Sequence, residues 1–239
     1  MTGPVKTDAL IILLHGVGHY GQNMLTMAEP WRKALPNAIF AAPDAPFAFE
    51  RGPGRQWYRI ADLTDESRLD RIAAARLDFD QVIRGEIAKH GFAARLDRIA
   101  LVGFSQGSMM LIDAVVTGRW PVASAVAFAG RLTSNPPAVS EHRTRLLLLQ
   151  GAADSLVPAA ELDRATAVLK ASGFAVDSRL FPNTGHRITP ETAGVALEFL
   201  QDCLAAAAPS PTKAERHARA LNGLPTNASR NDSDEEEQP

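Results

Sequence analysis

A serine between two glycines follows a short apolar run near the middle of the chain, and no other feature constrains the fold as strongly. The run Ile99-Ala-Leu-Val102 stops at Gly103-Phe-Ser105-Gln-Gly107, and apolar residues resume directly afterwards. This order predicts a strand, a tight turn and a helix, with the serine hydroxyl projecting from the carboxyl edge of a sheet. The two glycines would let the helix and the strand approach more closely than a Cβ atom allows.

The motif by itself leaves two interpretations open. In the first, Ser105 is a nucleophile on a strained corner, and the N–H of Gln106, which has no partner within the helix, is available to stabilise an anion. In the second, the segment is only a glycine-rich turn of the kind found in many α/β domains. Other parts of the chain have to decide between them.

Apolar runs and helical patterns alternate along the chain and predict an α/β fold. Beside the run before Ser105, segments with the length of buried strands lie at residues 9–14, 38–42, 123–129, 146–149 and 174–181. Helical patterns follow Ser105 and occupy residues 23–35, 65–90, 159–171 and 190–206. This alternation predicts a mostly parallel sheet with helices on both faces and ligands at the carboxyl ends of its strands. No long insertion separates the strands, so we expect no large cap domain.

Composition and charge argue against some classes of binding partner. With 239 residues the chain can form one substantial core, and we expect one domain over residues 1–208. That part carries 21 basic and 21 acidic residues, so it has no global field that would favour nucleic acid or an anionic membrane. Residues 209–239 are rich in Pro, Ser, Asn and charge, and we expect them to form a disordered acidic tail.

The single cysteine and the N-terminal region predict a cytoplasmic protein. Cys203 cannot form an internal disulfide, which fits a reducing compartment. The apolar run 9–14 is too short for a signal-peptide core or a membrane span, so we expect no stable membrane insertion. His15 and His19 have no further clustered ligands beside them, and we expect neither a metal nor another cofactor. The sequence leaves a homodimer open.

A nucleophilic serine needs a histidine to take its proton and a carboxylate to orient that histidine. On a strand–serine–helix corner the expected chain order is serine, acid, histidine. Asp154 directly follows the strand 146–149, and His186 follows the strand 174–181. Taken singly, Asp154 is equally a helix N-cap and His186 a solvated surface residue. The joint placement of three such groups at one sheet edge favours the catalytic interpretation.

The loop after the first strand predicts a second oxyanion donor. The N–H of Val17 would lie beside that of Gln106, and two such donors aimed at a developing oxyanion lower the reaction barrier. For substrate contacts we expect an acyl wall of aromatic side chains and two arginines facing an anionic group: Phe47, Phe49, Trp57, Tyr58, Arg55 and Arg131. Aromatic residues in an irregular segment such as 43–62 also commonly pack the loop down, and that alternative stays open.

These motifs together resemble the carboxylesterase/phospholipase family of α/β-hydrolases, which includes the acyl-protein thioesterases. The resemblance spans about residues 9–204 and rests on Leu14-His-Gly-Val-Gly18, Trp57-Tyr58, Gly103–Gly107, Gly151-Ala-Ala-Asp154-Ser-Leu-Val-Pro158 and Gly185-His186. It implies an α/β-hydrolase fold, a triad of Ser105, Asp154 and His186, and oxyanion donors at Val17 and Gln106. His19 and Arg59 stand where members of the family often carry an acidic residue.

The resemblance implies hydrolysis of carboxylic esters or thioesters. We therefore expect a serine hydrolase that acts on small-molecule esters through an acyl-enzyme intermediate. Because the site should be open and carries a modest aromatic lining, we expect short-to-medium acyl groups to be cleaved.

Two other classes of function remain open at this stage. Gly16-x-Gly-x-x-Gly21, with Asp44 23 residues beyond it, also fits the fingerprint of a dinucleotide-binding oxidoreductase. Against it, Asp44 lies between two prolines, and the serine, acid and histidine above would have no role. The third class is a non-catalytic, hydrolase-like binding protein that works through its acidic tail. It would lose function when residues 209–239 are deleted but not in Ser105→Ala.

Overall fold

The computed structural model describes residues 8–134 and 144–206. The segment expected to be an acidic tail, residues 209–239, lies outside them. The strands are β1 (Ala9–Leu14), β2 (Ala38–Ala41), β3 (Phe47–Ala48), β4 (Arg55–Gln56), β5 (Ile99–Phe104), β6 (Ser124–Phe128), β7 (Arg145–Gly151) and β8 (Ala175–Phe181). The helices are α1 (Gly21–Ala34), α2 (Asp65–Lys89), α3 (Gln106–Val116), α4 (Ala160–Ala171) and α5 (Pro190–Ala206).

Six of the strands form one parallel sheet in the order β2-β1-β5-β6-β7-β8, and each neighbouring pair is parallel. The carboxyl ends of these strands therefore meet at one edge. Strands β1 and β6 are buried along their whole length, as continuous apolar runs covered on both faces should be. The prediction of an α/β fold with a parallel sheet is confirmed.

Helices cover both faces of the sheet. Helices α2, α3 and α4 pack on one face, where Leu10, Ile12 and Leu14 of β1 join the same core cluster. Helices α1 and α5 pack on the other face against the alternate residues of β1, and Cys203 lies buried in this second core. Among the helices of the described ranges, none is both long and apolar enough to cross a membrane.

The segment 43–62 is more ordered than its sequence suggested. Strands β3 and β4 pair as a small antiparallel hairpin, with Phe47 opposite Gln56. Glu50 holds the end of the segment, because its carboxylate accepts hydrogen bonds from the Gln56 side chain at 2.7 Å and from the N–H groups of Ile60 and Ala61. The Gln56 hydrogen bond is the main cause of a lowered pKa at Glu50. The Glu50 carboxylate thus accepts hydrogen bonds from backbone N–H groups whose partners cannot be inferred from the prolines and glycines of the sequence.

Candidate active site

Ser105 lies on the corner between β5 and α3 with φ 52° and ψ −112°, a conformation that non-glycine residues rarely adopt. The chain can turn this tightly because the elements touch at two glycines. A Cβ atom at Gly103 would lie 2.5 Å from Leu111 Cδ2, and one at Gly107 would lie 2.3 Å from the carbonyl oxygen of Leu14. The predicted close approach of helix and strand is confirmed.

The structure brings together the three side chains predicted to form the triad. The Nε2 atom of His186 lies 2.9 Å from Ser105 Oγ, and its Nδ1 atom lies 2.8 Å from Asp154 Oδ2. Because an ionised carboxylate can only accept, Nδ1 carries the proton and Nε2 of the neutral ring is free to accept from the serine hydroxyl. The ring of Phe104 packs on the imidazole with centroids 5.0 Å apart.

Asp154 is held as a carboxylate by four hydrogen bonds. Oδ1 accepts from the N–H groups of Leu156 and Val157 at 2.8 and 2.9 Å, while Oδ2 accepts from His186 and from Gln150 Nε2 at 3.0 Å. Burial acts to raise the pKa of Asp154, but the hydrogen bonds from Val157, His186 and Leu156 outweigh it and the pKa is lowered. The residue does not cap α4, whose N-cap is Ala159.

Sequence reasoning missed Gln150 as a partner of the acid. Its amide is buried and donates both to Asp154 and to the carbonyl of Val157 at 2.8 Å, so it joins the two ends of the loop that carries the carboxylate. The available signal was a polar residue at the end of the apolar run Leu146–Leu149. A buried amide there needs partners inside the protein, and the nearest loop supplies them.

The loops after β7 and β8 are joined through their backbones, which sets the distance between acid and histidine. The N–H of Ala152 donates to Phe181 O and that of Ala153 to Thr184 O, at 2.9 and 3.0 Å. A Cβ atom at Gly151 would lie 2.0 Å from the carbonyl oxygen of Thr184, so only glycine permits this contact. Since β7 and β8 are neighbours, their loops deliver Asp154 and His186 to one place.

The two predicted oxyanion donors lie on segments that touch each other. A Cβ atom at Gly16 would lie 3.5 Å from Ser105 Cβ, which places the loop after β1 directly beside the serine. Within the described residues, the N–H groups of Val17 and Gln106 donate no hydrogen bond. Both are therefore available to an anion at this corner.

A buried network holds these donor segments in place. His15 donates from Nδ1 to Gly16 O at 2.7 Å and accepts at Nε2 from the N–H of Ala45 at 3.0 Å. Trp57 Nε1 donates to His15 O at 2.9 Å, and the Gln106 side chain accepts from Trp57 N at 2.8 Å. The segment 43–62 thus braces both donor segments, a role that the sequence did not reveal for His15 or for the side chain of Gln106.

The structure contradicts a substrate-contacting role for Trp57 and shows part of the Arg55 guanidinium bonded to the backbone of its own segment. Trp57 is 0% exposed, and its ring packs against His15 and Phe79. Its indole N–H is already used in the hydrogen bond to His15 O described above. Arg55 donates from Nε and Nη2 to the carbonyls of Ala45 and Pro46, at 2.8 and 2.6 Å, so these two groups hold the segment. Packing of the loop, the alternative left open above, accounts for both side chains.

The remaining four residues predicted to contact substrate differ in how buried they are and in what they contact. Tyr58 is buried, and its hydroxyl lies 3.1 Å from Met109 Sδ. Phe47 is exposed on the hairpin, and the ring of Phe49 lies against Gly18. Arg131 lies in the loop after β6 and donates to Asp65 Oδ1 and to the carbonyl of Leu156, at 3.3 and 3.0 Å. Of the six residues predicted to contact substrate, Arg131 is the one whose guanidinium is hydrogen-bonded to the loop that carries Asp154.

Comparison with known proteins identifies the family. The model of the phospholipase/carboxylesterase family matches residues 2–204. This chain belongs to that family. It is similar to esterase YpfH of Escherichia coli strain K12, with 27% identity over 192 residues that cover 80% of this chain and 82% of that protein. It is also similar to acyl-protein thioesterase 1 of Schizosaccharomyces pombe, with 28% identity over 82% of this chain and 92% of that one.

Solved structures agree with membership of the phospholipase/carboxylesterase family. The crystal structure of esterase PE8 superposes with a TM-score of 0.73 and 28% identity, covering 82% of this chain and 93% of that chain. The fold is therefore the α/β-hydrolase fold, and the protein is a hydrolase of the carboxylesterase/thioesterase type. These findings do not favour a dinucleotide-binding oxidoreductase. Asp44 instead accepts a hydrogen bond from the N–H of Gly21 at 2.7 Å, at the start of α1.

Proposed function

We propose that this enzyme hydrolyses carboxylic esters or thioesters through an acyl-enzyme intermediate on Ser105. The single observation that carries the proposal is the contact of Ser105 Oγ with His186 Nε2 at 2.9 Å, in a ring whose other nitrogen is held by Asp154. A hydroxyl alone is a poor nucleophile at neutral pH, and this arrangement supplies a base at hydrogen-bonding distance.

In the proposed first half-reaction, Ser105 Oγ forms a bond to the carbonyl carbon while its proton passes to His186 Nε2. The negative charge that develops on the carbonyl oxygen is stabilised by the N–H groups of Val17 and Gln106, and Asp154 stabilises the imidazolium. When the tetrahedral intermediate collapses, the bond to the leaving alcohol or thiol breaks and His186 returns the proton to it.

The second half-reaction regenerates the enzyme by the same groups. A water molecule gives one proton to His186 Nε2 as its oxygen attacks the acyl carbon, and the proton returns to Ser105 Oγ when the acyl–serine bond breaks. The carboxylic acid leaves, and no cofactor is consumed in either half. The strained φ of Ser105 keeps its Oγ directed towards the histidine in both halves.

We infer a preference for short-to-medium acyl groups. Support comes from the arrangement of the chain between the strands, which consists of single helices and one small hairpin within the described ranges, with no separate domain that could enclose a long chain. Much of the expected aromatic wall is also used in the interior, since Trp57 and Tyr58 are buried.

A fluorophosphonate probe tests the nucleophile. We expect covalent labelling of the wild-type protein and none of Ser105→Ala, because the probe reacts only with an activated serine. Ser172→Ala is the matched control, since its hydroxyl only donates to Val168 O at the end of α4, and it should label as wild type does. Equal labelling of wild type and Ser105→Ala would refute the proposed nucleophile.

A series of 4-nitrophenyl esters and the corresponding thioesters tests the substrate range. We expect kcat/KM to be highest for short and medium acyl chains and to fall for longer ones, because a longer chain finds no enclosed apolar surface. Hydrolysis confined to acyl groups above about a dozen carbons would contradict the inferred preference without touching the role of Ser105. A variant that lacks residues 209–239 should keep its esterase activity, whereas a tail-dependent binding protein would lose its function.

A further inference from the structure

A cavity rich in arginine lies at the same edge of the sheet as Ser105. It has a volume of about 310 Å³ and lies where the loop after β6 meets the first turns of α2 and α4. Its charged lining consists of three arginines and two carboxylates: Arg68, Arg131, Arg164, Asp65 and Glu161. The triad described above does not use any of these side chains.

The cavity lies close to the turn between β5 and α3 that carries Ser105. The N–H of Ser105 donates to Phe128 O at 2.9 Å, and Arg131 follows Phe128 by three residues, a span of at most about 10 Å. The Arg131 guanidinium donates to Leu156 O at 3.0 Å, while the N–H of Leu156 donates to the carboxylate of Asp154 at 2.8 Å. One residue therefore separates the guanidinium from the triad acid.

Tyr58 connects the cavity to the nucleophile from the other side. Its hydroxyl lies 3.1 Å from Met109 Sδ, and the N–H of Met109 donates to Ser105 O at 3.1 Å. Burial raises the pKa of Tyr58, and the charges of Arg68 and Arg131 act against that rise.

The positive charge in the cavity is only partly balanced. Arg68 and Arg131 share one carboxylate, that of Asp65, at 3.1 and 3.3 Å, and this side chain is 76% exposed, so both ion pairs are weak. Arg164, by contrast, has Glu161 to itself at 2.8 Å and also donates to Leu132 O. The surplus charge therefore lies with Arg68 and Arg131.

Hydrogen-bonding groups in the cavity wall lack partners. In the part of the chain that the structure describes, five buried side-chain N or O atoms have no hydrogen-bond partner, and three of them belong to residues of this cavity: Arg68 Nε, Arg131 Nε and Thr133 Oγ1. Unpartnered buried polar groups are costly, so the wall of this cavity holds hydrogen-bonding capacity that the described contacts do not use. The described contacts use only two of the five N–H groups of Arg131.

We propose that this cavity binds an oxyanion, a carboxylate or a phosphate, carried by the ester substrate, with Arg68, Arg131 and Thr133 as its donors. The planar guanidinium fork matches such an anion, which accepts two parallel hydrogen bonds from it. The proposal rests on the proposed function, because it assigns the far end of a molecule whose carbonyl group lies at Ser105. The substrate class is then an anionic ester or thioester.

The first test compares two esters that differ in one charge: the mono-4-nitrophenyl ester of glutarate and the 4-nitrophenyl ester of pentanoate. We expect wild type to prefer the anionic ester about tenfold or more in kcat/KM, and Arg131→Gln and Arg68→Gln each to lower that preference about tenfold. Arg131→Lys should restore part of it. Thr133→Val removes a hydroxyl but no charge and should lower the preference a few-fold.

Arg145→Gln is the matched control, because Arg145 lies at the amino end of β7, opposite the catalytic edge, and pairs with Asp177 at 3.6 Å. It should leave both the activity and the preference unchanged. A wild type that shows no preference either in this pair or in the leaving-group pair described next, or a preference that Arg131→Gln and Arg68→Gln leave unaltered, would overturn the inference even where the neutral ester is cleaved well.

A second pair of esters decides which end of the substrate carries the anion. Acetylglycerol phosphate and acetylglycerol place the charge on the leaving group, so an arginine-dependent preference in this pair alone assigns the cavity to the leaving group, and one in the glutarate pair alone assigns it to the acyl group. Arginine-dependent binding of inorganic phosphate or glutarate by calorimetry, without a preference in either pair, would mean a site for free anions and would overturn the substrate assignment.

The proposed function can fail separately from this inference. Absence of fluorophosphonate labelling at Ser105 would refute the nucleophile and with it the ester substrate. Calorimetry with glutarate and inorganic phosphate on wild type and Arg131→Gln would then still test the cavity, and absence of binding to wild type would overturn the anion site as well.

Discussion

Two histidines of this protein share a tautomer and differ in what they contact. His15 follows β1 and His186 follows β8, both at the carboxyl edge of the sheet, and each has an aromatic ring beside it. Each holds its proton on Nδ1, since that atom faces an oxygen that can only accept. The partner of Nδ1 is a backbone carbonyl for His15 and the carboxylate of Asp154 for His186.

The opposite nitrogen decides what each ring can do. Nε2 of His15 accepts from the N–H of Ala45, and the residue is 0% exposed, so a second proton would break a hydrogen bond and put an uncompensated charge in the core. Burial accordingly lowers the pKa of His15. Nε2 of His186 faces the hydroxyl of Ser105, and the carboxylate behind the ring stabilises the charge that proton transfer creates. One histidine is therefore suited to hold structure and the other to move a proton.

The largest expected effect follows from removing the proton-accepting ring. His186→Ala should lower kcat for a neutral ester by about 10⁴- to 10⁶-fold, as the loss of a triad member does in serine proteases. The free energy of unfolding should fall by about 1–3 kcal/mol, because the His186 side chain is only 16% exposed and its loss removes one hydrogen bond from the buried Asp154 carboxylate. Steady-state kinetics and urea denaturation measure the two quantities. His90→Ala, which removes a partly buried pair with Glu86 at the C-terminal end of α2, should leave kcat unaltered. A loss of less than tenfold in His186→Ala would contradict the proton-accepting role of His186.

The next effect concerns the carboxylate that distinguishes His186 from His15. Asp154→Asn should lower kcat by about 10⁴-fold with a smaller change in KM, because an amide no longer fixes the Nδ1 tautomer or stabilises the imidazolium. The variant keeps the size of the side chain, so fluorophosphonate labelling should become slow rather than vanish. Asp163→Asn, on α4, is the control. If Asp154→Asn retained wild-type kcat, the orientation of His186 by this carboxylate would be refuted.

The third expected effect, in His15→Ala, is mainly a loss of stability, with a smaller loss of activity. His15→Ala leaves the N–H of Ala45 without a partner and removes the ring that packs on Trp57, so the free energy of unfolding should drop by about 2–4 kcal/mol. A looser Val17 segment should also cost about tenfold to a hundredfold in kcat, since the donor there loses its fixed position. Denaturant titration and kinetics on the same preparation separate the two losses. A kcat loss as large as that of His186→Ala, at unchanged stability, would mean that His15 takes part in proton transfer.

The fold and the convergence of Ser105, Asp154 and His186 could be predicted because they depend on local patterns. Continuous apolar runs specify buried parallel strands, and parallel strands bring whatever follows them to one edge, so Asp154 and His186 could be assigned from the residues they follow. The tight turn at Ser105 could be predicted for the same reason, because Gly103 and Gly107 lie where a Cβ atom would prevent the close contact of helix and strand.

The brace and the substrate contacts could not be predicted, because they depend on partners distant in the sequence. The indole of Trp57 reaches His15, 42 residues away, and Gln106 reaches Trp57 over 49 residues. An aromatic residue in a loop has the same local pattern whether it lines a site or fills the interior, so the sequence could not separate the two roles of Trp57. The charge of Arg55 was equally uninformative, since backbone carbonyls hold it.

The smallest expected effect is a pH dependence that His15 contributes to stability. Its folded-state pKa is lowered by burial, whereas the unfolded chain takes up a proton near pH 6.5, so the stabilisation is complete above that pH and is lost as the pH falls through the folded-state pKa. The difference in free energy of unfolding between wild type and His15→Ala should therefore shrink from pH 8 to pH 5, by up to about 1.4 kcal/mol for each pH unit below 6.5. Trp57→Phe breaks the same brace without removing a titrating group, so its difference from wild type should stay constant over that range. A constant difference for His15→Ala would show that the ring is protonated equally easily in the folded and unfolded chain, and the contrast with His186 would then rest on hydrogen-bond partners alone.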